Sequence, residues 1–146
     1  MMRSEKGFTM VEALIALAGF LVISTVCLSL ARPVYQTAKR EAFLNILKAD
    51  FYYAQMYALS HQRESTIIFK ETDNAYYAYD GFNGSTLIAR NYPKEIKAVP
   101  GSMPLTVKFV ANGNVNRFGS FFILTEGRRY RLTILIGRGK FYIAEE

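Results

Sequence analysis

The sequence predicts an α+β protein: a long N-terminal helix, membrane-spanning in its first half, packed on a C-terminal antiparallel β-sheet. Three observations carry this. Residues 13–31 form an apolar run without a charge. Residues 34–61 contain neither glycine nor proline and repeat apolar residues with a helical period. From Ser65 onward, short apolar and aromatic runs alternate with turn residues. Hydrophobic residues make up 51% of the chain, enough to build a real core in one small domain beside one anchor.

As a helix, residues 13–31 rise roughly 28 Å at about 1.5 Å per residue, close to a hydrocarbon core of about 30 Å. A secretory signal cut after Ser29-Leu30-Ala31 and a plain signal anchor are alternatives. The run is long for the first. A buried soluble helix fits less well, because the run is apolar on every face. Glu12 stands at its mouth, and a carboxylate in a membrane helix usually has a definite partner. Thr9-Met10-Val11-Glu12 also fits the S/T-x-x-E capping box.

Lys6-Gly7-Phe8-Thr9-Met10-Val11-Glu12, followed by Ala13-Leu14-Ile15, resembles the prepilin processing site of type IV pilins and type II secretion pseudopilins. The resemblance implies a leader of residues 1–7 cut after Gly7 by prepilin peptidase. It implies N-methylation of the new first residue, Phe8, and an assembly role for Glu12. A free α-amine is largely protonated near neutral pH, so the amine of Phe8 would pair with Glu12 of a neighbouring subunit. The resemblance further implies a pilin-like fold, with residues 8–31 as the transmembrane and assembly helix. Other major and minor pseudopilins, an assembly platform protein and membrane lipid would be its partners. Cations flank the helix on both sides (Arg3, Lys6; Arg32, Lys39, Arg40), so charge alone does not orient it; the resemblance puts the C-terminal part outside the cell membrane and on a surface filament.

Residues 32–64 read as the amphipathic continuation of the helix, kinked at Pro33. Phe43, Leu47, Phe51, Ala54 and Ala58 form its apolar face. Met56 is expected to join them on the sheet, with Tyr52, Tyr53 and Tyr57 at the margin. Lys39, Arg40, Lys48, Asp50 and Arg63 take the remaining surface, and His61 a cap or surface position. Residues 65–146 form the head. Strands are expected over 65–70, 75–79, 85–90, 105–110, 120–125, 130–136 and 140–144, joined by tight turns that imply antiparallel pairing. Pro93, Pro100 and Pro104 break up the segment between the third and fourth. The block from Phe109 through Phe118-Gly119-Ser120-Phe121 to Gly139-Lys140-Phe141 is similar to the C-terminal sheet of minor pseudopilins of the H-type secretion and competence groups.

Little else in the chain carries chemistry. Cys27 and His61 are the single cysteine and histidine, which excludes an intrachain disulfide, a cysteine-based zinc site and any site needing two histidines. No phosphate-binding or nucleophile-elbow motif is present, so no enzyme activity, metal or cofactor is expected. The net charge of +6 favours a polyanionic or acidic partner. Arg117, Arg128, Arg129, Arg131, Arg138 and Lys140 face only Glu126 between positions 117 and 140. Alternation puts Arg129 and Arg131 on one strand face with Lys140, a stripe that would bind DNA phosphates, with Tyr130 or Phe118 stacking. The competing reading is that edge cations keep the domain soluble. The resemblance implies a minor pseudopilin of a competence (DNA-uptake) pilus. A secretion or type IV pilus subunit and a DNA-binding module are the alternatives.

Overall fold

The computed structural model describes residues 9–137 and 139–146, without the side chains of residues 31 and 32. The chain divides into a helical part up to Glu41 and a head from Ala42 to Glu146. One helix, α1 (Met10–His61), enters both, with Pro33 inside it. It stops where Gln62 takes a left-handed conformation (φ 50°).

Within the head, α1 buries Phe43, Leu44, Leu47, Phe51, Ala54 and Ala58, a single face stepping by three and four. Met56 is not on it. It lies five residues beyond Phe51, about 140° around the helix, and is 60% exposed. Asp50 departs the other way. It directly precedes Phe51 and is 6% exposed, drawn in by two donors described below.

Eight strands follow: β1 (Ser65–Lys70), β2 (Ala75–Asp80), β3 (Thr86–Asn91), β4 (Lys97–Pro100), β5 (Thr106–Phe109), β6 (Gly119–Thr125), β7 (Arg128–Ile134) and β8 (Phe141–Glu145). They form two four-stranded antiparallel sheets, ordered β3-β2-β1-β5 and β4-β6-β7-β8, rather than one. The strand missed in the sequence, β4, sits between prolines. Its Pro100 occupies the last position of an edge strand, where a missing N–H is tolerated.

Strand alternation buries one face of each sheet. Ile67, Phe69, Tyr76 and Ala78 come from the first, and Phe121, Ile123, Leu132 and Ile134 from the second. Phe51 sits among three of the rings, 6.5 Å from Phe69, 6.3 Å from Phe109 and 5.2 Å from Phe141 between centroids. Gln55 extends the helix's hold on the head. Its Nε2 donates to the carbonyls of Gly113 (2.9 Å) and Gly139 (3.4 Å), tying two glycine turns to α1.

Candidate assembly and interaction sites

At the start of α1, Thr9 and Glu12 form a capping box. The Thr9 N–H donates to Glu12 Oε2 (3.0 Å), the Thr9 hydroxyl donates to the same oxygen (2.9 Å), and the Glu12 N–H donates to Thr9 Oγ1 (3.3 Å). This satisfies backbone donors that a helix start leaves unpaired. Gly7 and Phe8, the expected cleavage and methylation positions, lie outside the described residues.

Beyond Glu12 the helix shows apolar side chains all round. Leu14, Ile15, Leu17, Phe20, Leu21 and Val22 are each more than half exposed. Water would oppose such a surface, whereas lipid accepts it. Two hydroxyls along it turn inward to the backbone, Thr25 Oγ1 to Leu21 O (2.8 Å) and Ser29 Oγ to Val26 O (2.7 Å). A polar group in hydrocarbon needs such an internal partner. This apolar N-terminal helix is compatible with membrane anchoring.

One buried polar cluster of the head centres on Asp50. Asp50 Oδ2 accepts from the Tyr76 hydroxyl (2.7 Å) and from Arg90 Nε (3.1 Å), so the buried carboxylate is paired and hydrogen-bonded. Burial, then the bond to Asp50, pushes the Tyr76 phenol above its usual range. Among the described residues, no group of three or more His, Cys, Asp or Glu is gathered as metal ligands would be.

The basic residues separate along the second sheet. Arg129 and Arg131 lie on its outer face, stacked over Phe122 with guanidinium carbons 3.7 and 5.5 Å from the ring centre. Arg128 has the opposite strand parity. Arg117 lies in the loop before β6. Lys140 pairs opposite Leu135, six positions and roughly 20 Å along β7 from Arg129. Tyr130 is buried in the core and cannot stack on a base, whereas Phe118 is 63% exposed. Arg138 lies outside the described residues.

Two acids downstream of the basic run meet it. Glu145 pairs with Arg128, and Glu146 pairs with both Arg129 and Arg131. The signal was available, because a turn at Gly137–Gly139 folds the last strand back and brings Glu145 and Glu146 opposite Arg128–Arg131.

No protein-family model matches the chain. It is 28% identical over 141 residues to the competence protein ComGD of Bacillus subtilis (strain 168), covering 95% of this chain and 93% of that protein. In three dimensions it is similar to the type IV minor pilin FimU of Pseudomonas aeruginosa (strain PAO1) in two crystal forms. The TM-scores are 0.57 and 0.56 at 22% identity, over 75% of this chain and 87% and 91% of the other. The chain therefore has a pilin-like fold, one long N-terminal helix packed in the head on antiparallel sheets, and resembles a competence protein along nearly its whole length.

Proposed function

We propose that the chain is a minor pseudopilin subunit of a competence pilus, needed for filament assembly and DNA uptake. The observation that carries this is the ComGD-like sequence spanning both the apolar helix and the head, on a pilin-like fold. In this reading prepilin peptidase cuts after Gly7, Phe8 becomes N-methylated, and residues 8–31 anchor the subunit with its head outside. The assembly platform then delivers it into a filament of other pseudopilins. The role is structural, and no catalytic residue is assigned.

The test is intact-mass and N-terminal peptide analysis of the chain from membranes with and without the peptidase. A mature chain starting at N-methylated Phe8, only when the peptidase is present, is the expected result. An uncut chain, or one cut after Ala31, overturns the reading.

A second reading, in which the head itself contacts DNA, is favoured by the outer face of the second sheet. Lys97, Arg129, Arg131 and Lys140 lie on that face with exposed Tyr142, and the exposed Phe118 precedes β6. Arg128 and Arg117 would contribute only from its margins. Reversing Arg129 and Arg131 to glutamate should abolish salt-sensitive binding of the purified chain to DNA while filament assembly persists. Unchanged binding removes this reading and leaves the first intact.

A further inference from the structure

Each sheet has two edges, and an unguarded edge is a template for another strand. Three of the four are guarded. β3 faces a bulge in its pairing with β2 at Ala78/Tyr79. β4 is four residues long with Lys97 and Pro100. β5 is covered by its own following loop, where the Asn116 N–H donates to Lys108 O (3.0 Å) and Val115 bridges Phe109.

The fourth edge, β8, has no bulge, proline or covering loop. It reads Phe-Tyr-Ile-Ala-Glu and runs in unbroken register with β7. Its one charge, Glu145, is at its end and paired with Arg128. The phase of its ladder is fixed at both ends, by Leu135 N–H to Lys140 O and Glu146 N–H to Arg129 O, each 2.8 Å. Antiparallel alternation therefore turns the N–H and C=O groups of Phe141, Ile143 and Glu145 away from β7, toward the open side.

Beside this edge the helix supplies an apolar floor. The Tyr52 ring lies 4.7 Å from that of Phe141 and is 56% exposed, with Met56 one turn further on.

We propose that β8 is a docking edge for a second copy of this chain, the two β8 strands pairing antiparallel about Ile143. The argument for that occupant is complementarity of charge and size in this register, which sets Lys140 of each copy opposite Glu146 of the other on the outer face. Ile143 then meets Ile143 and Phe141 meets Glu145, so every outward-facing position meets an outward-facing position and every exposed backbone group finds a partner. On the outer face, large Tyr142 falls opposite small Ala144. The contact is isologous and closes on itself. Five paired residues bury far less than the roughly 1,600 Å² of a standard stable interface. The pair is therefore expected between copies confined to one membrane, where effective concentration is high; this part rests on the anchored reading above.

The test uses the full chain in lipid vesicles at high and low protein density. At high density the amides of Phe141, Ile143 and Glu145 should exchange with solvent about tenfold more slowly than at low density, as for a population about nine-tenths docked. The amides of Tyr142 and Ala144, bonded to β7, should be protected at both. In a Cys27→Ser background, mixed Tyr142→Cys and Ala144→Cys chains should form more disulfide-linked dimer of twice the mass than either alone. Thr86→Cys on β3 serves as control. Exchange independent of density, or equal cross-linking through β3, overturns the proposal. So does edge protection that appears only when other pilin-like subunits share the vesicle. A chain that fails to float with vesicles overturns the anchored reading instead, and the mixed cross-link in solution then decides β8 by itself.

Discussion

Replacing Gly139 by alanine isolates one joint of the head. A Cβ there would lie 2.4 Å from the carbonyl oxygen of Gly113 and 2.5 Å from Nε2 of Gln55. An ordinary carbon–oxygen contact is about 3.3 Å, so the backbone of one turn must shift by nearly an ångström or the Gln55 amide must leave. The left-handed conformation at Gly139 (φ +60°) adds roughly 1–2 kcal/mol for any residue with a Cβ. Losing the Gln55 donor from part-buried carbonyls adds roughly 1–3 kcal/mol. The sum, about 2–5 kcal/mol, is a large share of the roughly 5–15 kcal/mol that holds a domain of this size. At about 4–8 °C per kcal/mol, the melting temperature should fall by at least about 8 °C.

Gly137 is the control in the same turn. It also has a left-handed φ (+87°), but a Cβ there meets nothing within 4 Å, so alanine should cost only about 1–2 kcal/mol. Thermal unfolding of the detergent-solubilised full chain, followed by near-ultraviolet circular dichroism, gives both values. Equal losses at the two glycines would refute the three-way joint. Gln55→Ala should also be non-additive with Gly139→Ala, because each removes what the other disturbs.

Phe51→Ala should destabilise the head by about 3–5 kcal/mol, the range for a fully buried ring, whereas Met56→Ala should change it by less than about 0.5 kcal/mol; denaturant midpoints of the two decide whether the core face excludes Met56. Stability should fall with rising alkaline pH. The folded-state pKa of Tyr76 is raised above the unfolded value of 10.0, so its contribution is full below that value and declines as the unfolded state ionises above it. Melting temperatures across this range should fall less steeply in Tyr76→Phe. An identical slope in the variant would assign the alkaline loss to other groups.

Much of this architecture was legible because it depends on local signals. The apolar run, the four-residue spacing of Phe43, Leu47 and Phe51, and turn pairs such as Asp73-Asn74 and Glu126-Gly127 act within a few residues of themselves. β1 was legible at both bounds for that reason. What escaped depends on distant partners. Asp50 looks like a surface acid until Tyr76 and Arg90 arrive 26 and 40 residues later to satisfy it. Splitting the strands into two sheets depends on β5 crossing back to β1, a pairing that no hairpin turn announces. The basic run looked unopposed because its acids follow the turn that returns them to it.

Glu12 has two rival explanations, a helix cap and an assembly charge, yet the geometry lets one carboxylate serve both. Among the described residues, both hydrogen bonds to its side chain, from the Thr9 N–H and hydroxyl, fall on Oε2. A carboxylate can accept on each oxygen, so Oε1 can meet a cation on a neighbouring subunit while the cap stays closed. Glutamine separates the roles. It keeps an oxygen acceptor and belongs to the capping-box pattern, but carries no charge. If Glu12 is only a cap, Glu12→Gln should assemble as well as the parent and Glu12→Ala should show only a frayed helix start. Under the proposed function both variants should be processed and enter the membrane normally yet fail to join a filament, because the neighbour's amine has lost its counter-charge in a medium that punishes an unpaired ion. Filament recovery by shearing, set against membrane levels of the processed chain, is the readout. Full assembly of Glu12→Gln would return this residue to a purely local role.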